Sequence, residues 1–187
     1  KVISLQERIK QAKPGCEIKV LQTPMEIAEP RLDDIKTIAE AKVMIAFKKL
    51  KKPVVAMDSG FYINALNGFP RTFANFALET IGLQGFLDLV KGKKRNCEFR
   101  DCLAYIDATM KKPRFFLAVT KGKISSNPEG SLGKHCWSEI DKIFVPENQN
   151  KTLAEMSFDE LTEWKKSMQK ESATKAFVVW FVKNKLK

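Results

Sequence analysis

Histidine and cysteine are scarce in this chain, and their scarcity argues against several classes of protein. One histidine, His135, and four scattered cysteines, Cys16, Cys97, Cys102 and Cys136, occur among 187 residues. No CxxC or HxxxH spacing brings them into a zinc pattern, and they are too few for a disulfide framework. Buried free thiols are the expected state. Cys97 and Cys102 stand five apart on one expected strand, so their side chains point to opposite faces. Long apolar runs are also missing. The longest, Ala176 to Val182, is far too short to cross a bilayer core of about 30 Å. There is no repeat, no low-complexity linker and no visible secretory leader. The chain opens at Lys1 without a methionine, so residues are expected to be missing from its front, and a cytoplasmic location is expected.

What is present suits a folded domain: 44% apolar and 29% charged residues. The length fits one domain spanning 1–187, with one or two lobes and a real core. Lysine and arginine outnumber the acids 33 to 22, giving a formal charge of +11. Such a field attracts polyanions, either nucleic acid or a nucleoside triphosphate. The basic residues are mostly lysines spread along the chain, in short clusters such as Lys48-Lys49 and Lys93-Lys94-Arg95, and no nucleic-acid motif accompanies them. A solvated basic surface is therefore the reading for most of them, and nucleic acid is not the favoured partner.

Periodicity orders the elements. Residues 2–12 show helical spacing and Pro14-Gly15 stops them. Glu17 to Leu21 alternates and reads as a strand. Asp33-Asp34 stands where acids help a helix start, and Ile35 to Leu50 is a long, largely buried helix interrupted on its apolar side by Lys42. After Pro53, Val54 to Met57 reads as a short buried strand, with a turn at Asn67-Gly68 further on. Residues 72–80 and 83–90 form two helices parted by Gly82. Two long strands follow, 97–107 and 114–125, paired as an antiparallel hairpin around Pro113. A strand ends near Val145, and helices cover 157–168 and 172–185. Phe177, Trp180 and Phe181 in the last helix are assigned to packing. The order is that of a mixed α/β fold.

The most telling local feature is Asp58 at the end of an apolar strand, followed by Ser59-Gly60. A carboxylate on a rigid element can act as a metal ligand or general base, and Asp-Ser-Gly is also ordinary turn chemistry. Glu26, before the long helix, could join Asp58 in holding Mg²⁺, which takes one or two carboxylates plus substrate phosphates. Lys42 either snorkels to solvent or turns into a cleft as a phosphate-binding charge.

Several blocks together resemble the inosine/xanthosine triphosphate pyrophosphatase family of the Ham1 type. Pro53 to Pro70 resembles its strand, Asp-Ser-Gly and Ala-Leu-x-Gly-x-Pro signature; Thr80 to Gly85 resembles a helix junction of some members. Gly122 to Ile124, Ile143 to Pro146 and Lys151 to Met156 resemble its later strand, Ile-Phe-x-Pro and Lys-Thr-x-Ala-Glu-Met blocks. The blocks run in one order over nearly the whole chain. The resemblance implies an elongated mixed sheet flanked by helices, two lobes around a central cleft and a homodimer. It implies a Mg²⁺-dependent hydrolase that cleaves deaminated purine triphosphates (ITP, dITP, XTP), or other modified ones, to monophosphate and pyrophosphate. By position, Glu26 and Asp58 would hold the metal, Asp58 would also activate water, and Lys42 and Lys1 would contact phosphates, beside Ser59 and Gly60.

Departures accompany the likeness. The acid that the family carries just before this aspartate is Met57 here, which takes one charge from the expected Mg²⁺ environment. The base-stacking stretch is replaced by Gly133 to Lys142, where Trp137 would stack and Asp141 would supply the acid. The Ser-His-Arg motif becomes Met168-Gln169-Lys170, so Gln169 and Lys170 would donate to the base without the planar fork of arginine. The alternative these changes leave open is a catalytically weakened relative that binds nucleotides, nucleic acid or a protein.

Overall fold

The computed structural model describes residues 2–27, 32–133, 136, 138–167 and 172–186. Two helices come first, α1 (Val2–Ala12) and α2 (Ile35–Leu50). The cap of α2 is the one its sequence suggests. The Asp34 carboxylate accepts from the Thr37 amide at 2.9 Å and the Thr37 hydroxyl at 2.6 Å, which satisfies donors that the first turn leaves orphaned. Lys51 closes the other end in the left-handed region, its N–H donating to the Phe47 carbonyl.

The segment between α1 and α2 is not the strand its alternation suggests; 16–27 has no regular structure. Its polar backbone is met by a side chain instead. The Gln6 amide donates to Ile18 O at 2.8 Å and its carbonyl accepts from Val20 N at 2.5 Å. A side chain has taken the place of a ladder.

Among the described residues five strands form one sheet in the order β2-β1-β3-β4-β5, antiparallel throughout rather than mixed. They are β1 (Val54–Ile63), β2 (Pro70–Arg71), β3 (Asn96–Ile106), β4 (Arg114–Ile124) and β5 (Phe144–Pro146). Helices α3 (Ala74–Leu89), α4 (Phe158–Ser167) and α5 (Ala173–Lys185) complete the α/β fold. The break expected at Gly82 is a kink inside α3, where φ of 63° suits a residue without Cβ.

Pleating sorts the core into three clusters. On one face α2 covers β1 and β3, with Ile35, Ala39 and Val43 against Tyr62, Cys102, Ala104 and Ile106. The opposite face carries two clusters. Leu5 of α1 and Phe177 and Phe181 of α5 pack on Leu103, Tyr105 and Phe116. Further along, Phe86 of α3 meets Phe61, Ile63 and Phe144. Cys97 and Cys102 fall in different clusters, as their spacing implies. Because β2 pairs only with Phe61 and Tyr62, the outer edge of Val54 to Gly60 has no strand partner among the described residues. Residues 54–59 are accordingly half-buried although they lie in a long strand.

Candidate active site

Asp58 sits in the middle of β1, not at the mouth of a strand. Ser59-Gly60, which reads as a turn, stays extended because β3 supplies a partner for every residue from Val54 to Ile63. Glycine has a steric reason to be there. A Cβ on Gly60 would lie 2.8 Å from Tyr62 Cε2 and 2.9 Å from Arg71 O, closer than real contacts allow. The carboxylate therefore rides on a strand paired on one side and, among the described residues, free of strand on the other.

Lys42 meets it. Helix α2 packs over the same face, and Lys42 Nζ donates to Asp58 Oδ1 at 2.6 Å, with the two side chains only 16% and 12% exposed. A lysine breaks the apolar side of α2 at this point because a carboxylate waits opposite; it does not snorkel to solvent. Two residues separated by 15 others thus meet across the helix–sheet interface. Beside them lies Tyr62, with the Arg100 guanidinium 4.2 Å above its ring and the Glu98 carboxylate holding Arg100 at 2.6 Å. Burial raises the Tyr62 phenol; Arg100 opposes that shift, while Asp34 and Asp58 reinforce it. The charged groups of this face act on one another.

The pleat turns Met57 the other way. It packs against the α1/α5 cluster, whereas the neighbours of Asp58 on β1, Ala56 and Tyr62, belong to the α2 cluster. The missing acid at position 57 is thus on the face opposite Lys42, which corrects the expectation that it depletes the surroundings of Asp58. On the Met57 face Ser59 Oγ donates to Asp101 Oδ1 at 2.5 Å. Nothing in the sequence marks Asp101 or Arg100. Only the register, Ser59 opposite Asp101 and Gly60 opposite Arg100, brings them beside the Asp58 segment.

Glu26 is exposed in the irregular segment before α2. Among the described residues no three His, Cys, Asp or Glu side chains gather into a metal cage. Asp141 is 5% exposed in a 3-10 turn, Glu139–Lys142, and its carbonyl accepts from Ala154 N at 3.0 Å. Burial pulls the Lys165 ammonium of α4 below its ordinary value while Asp141 and Cys136 pull it up, so α4 brings a cation within electrostatic reach of Asp141. Lys1, Trp137, Gln169 and Lys170 lie outside the described residues. Burial raises the Cys97 thiol beyond the usual range and the Cys102 thiol to about 11. Neither is a thiolate nucleophile at neutral pH.

Known proteins share this arrangement of elements. The Ham1 family model matches residues 1–180. The chain is 36% identical over 133 residues to a dITP/XTP pyrophosphatase of Saccharolobus solfataricus, covering 71% of this chain and 66% of that protein. It is 32% identical over 169 residues to a dITP/XTP pyrophosphatase of Pyrococcus horikoshii, covering 89% and 86%. Among solved structures, a HAM1 protein from Coxiella burnetii superposes with a TM-score of 0.77 at 22% identity, covering 98% of this chain and 95% of that one. That last likeness concerns the fold.

Proposed function

Because the chain belongs to the Ham1 family, we propose that it hydrolyses deaminated purine nucleoside triphosphates (dITP and XTP, the substrates named for its relatives, and ITP) to the monophosphate and pyrophosphate. The observation that carries the reading is the half-buried pair of Lys42 and Asp58, 2.6 Å apart. Phosphoryl-type transfer asks little covalent chemistry of a protein; it asks for placed charge and an oriented nucleophile. A carboxylate fixed in mid-strand orients the attacking water and takes its proton. A lysine on the facing helix supplies positive charge to the phosphate oxygens.

Asp58 offers a carboxylate of the kind Mg²⁺ takes. The ion binds through one or two carboxylates and completes its shell with water and substrate phosphates, so an all-protein cage is not needed. Asp58 and Glu26 would hold it. When bound, the ion neutralises charge building on the leaving pyrophosphate. Lys42 and Lys1 would contact phosphates, with the backbone of Ser59 and Gly60 beside them, since the Ser59 hydroxyl is turned to Asp101 on the other face. Trp137, Asp141, Gln169 and Lys170 would meet the base.

The same reading includes one domain of two lobes, a homodimer and a cytoplasmic location. The two apolar clusters on one sheet face support the lobes. Phe73 and Phe76 at the start of α3, 37% and 62% exposed, support a second copy. No helix among the described residues is long and apolar enough to cross a membrane. The test is pyrophosphate release with Mg²⁺ from standard, deaminated and modified triphosphates. Release from ITP, dITP or XTP that Asp58→Asn abolishes is expected; a flat panel at high enzyme concentration would overturn the reading in favour of a binding module.

A further inference from the structure

A second feature lies on the other side of the sheet from Lys42 and Asp58. Between β4 and α5 is an open cleft of about 580 Å³ lined by Arg114, Phe116, Lys175, Val179, Trp180 and Lys183, among others, with no acidic side chain among its described lining residues. Its floor is apolar and aromatic. Val179 is 59% exposed, and the Trp180 ring is anchored from below by Tyr105 at 5.5 Å and Phe116 at 5.6 Å. Its walls are cationic. The Arg114 guanidinium lies 5.0 Å over the Trp180 ring, and Lys111 and Lys112, exposed at the hairpin turn, extend the positive surface away from Arg114.

We propose that this cleft binds single-stranded nucleic acid. Flat apolar surface beside unopposed cations matches a ligand in which aromatic rings alternate with phosphates. A guanidinium 5.0 Å from an indole centroid offers a planar group on which a base can stack and a charge for its phosphate. The alternatives use only half of the site. Free pyrophosphate has no use for Val179 and Trp180, a duplex hides its rings, and an acidic peptide brings charge without them. The excess of 11 positive charges on the chain favours encounter with any polyanion, and the cleft selects among them. The site is separate from the proposed catalytic face, so it stands or falls independently of the hydrolase reading.

Fluorescence anisotropy of a labelled single strand of about 12 nucleotides, titrated with the full chain at several salt concentrations, tests it. With Arg114, Lys175 and Lys183 each neutralising a phosphate, log affinity should fall against log salt with a slope of roughly −2. The pair Arg114→Ala and Lys183→Ala should weaken binding at least about tenfold and bring the slope to roughly −0.7, with pyrophosphate release unchanged. Arg114→Lys keeps the charge and the packing; it should weaken binding while the slope stays, because only the plane is lost. The proposal is overturned if the double variant binds like the wild type, if a duplex or polyglutamate binds as well as the single strand, or if a mononucleotide does.

Discussion

Asp58→Asn and Lys42→Met, made singly and together, probe the central pair through both stability and catalysis. At 2.6 Å and an effective dielectric of about 20, two unit charges attract by about 6 kcal/mol. Taking both charges largely out of water returns most of that, so the net coupling expected from a double-mutant cycle is roughly 1–3 kcal/mol. Each single variant strands the partner's charge in a half-buried site and should lose about 2–3 kcal/mol in urea unfolding at pH 7. The double variant, with no stranded charge, should lose less than the sum. Kinetics separate the two residues. On the proposed role of Asp58 as general base, Asp58→Asn should lose about 10²–10⁴-fold in kcat. Lys42→Met should act mainly through substrate affinity and charge on the phosphates, lowering kcat/KM more than kcat. Additive stabilities would mean the pair does not form in solution. Asp58→Asn retaining wild-type kcat would remove Asp58 from the chemistry, whatever its stability.

Three further outcomes rest on other parts of the fold. Gly60→Ala would drive a Cβ to 2.9 Å from the Arg71 carbonyl, which is backbone and yields poorly; a loss of about 1–3 kcal/mol is expected in chemical unfolding. Asp107 is nearly buried at the end of β3, and burial works against its charge. Donors from Lys185, Thr109 and Tyr105 nevertheless hold its carboxyl well below the unfolded value of 3.8. Its stabilisation is therefore complete above about pH 4 and is lost as pH falls through the lower folded value. Lys185→Met should cost about 2 kcal/mol at pH 7, with the gap to wild type closing toward pH 2 in a pH series of urea midpoints. Finally, Cys97 and Cys102 should resist a thiol reagent at pH 8 until denaturant is added, because burial disfavours their thiolates.

Local signals carried the fold where local physics decides it. The Asp34 cap, the end of α2 before Pro53, the kink at Gly82 and the hairpin around Pro113 are all set by residues within a turn or two. The errors fall where distant groups decide. Glu17 to Leu21 alternates like a strand, yet a glutamine of α1 claims its backbone groups. Ser59-Gly60 is turn chemistry by composition, and the unbroken ladder with β3 overrules it. In the site, Lys42 could be suspected because a charge on an apolar helix side needs a partner. Asp101 could not, since its placement depends on which residue of β3 faces Ser59.

Positions 57 and 58 illustrate why adjacency in a strand does not mean shared chemistry. If a charge at 57 served Asp58 directly, Met57→Glu would raise activity. The pleat expects otherwise. A glutamate there would enter the half-buried edge of the α1/α5 cluster, on the face that carries Ser59 and Asp101. Ser59 lies opposite Asp101, and Met57 lies two residues further along β1 on the same face, opposite Leu103. Diagonal neighbours of this kind stand about 7–8 Å apart, so like charges would repel by roughly 1–2 kcal/mol before any desolvation is counted. Met57→Glu should therefore lower the unfolding free energy by about 1–3 kcal/mol and leave kcat/KM within about threefold of wild type. Removing the repulsion with Asp101→Asn in the same chain should restore part of that stability. A gain in turnover from Met57→Glu alone would show that charge at 57 reaches Asp58 across the strand, and the separation of the two faces would have to be abandoned.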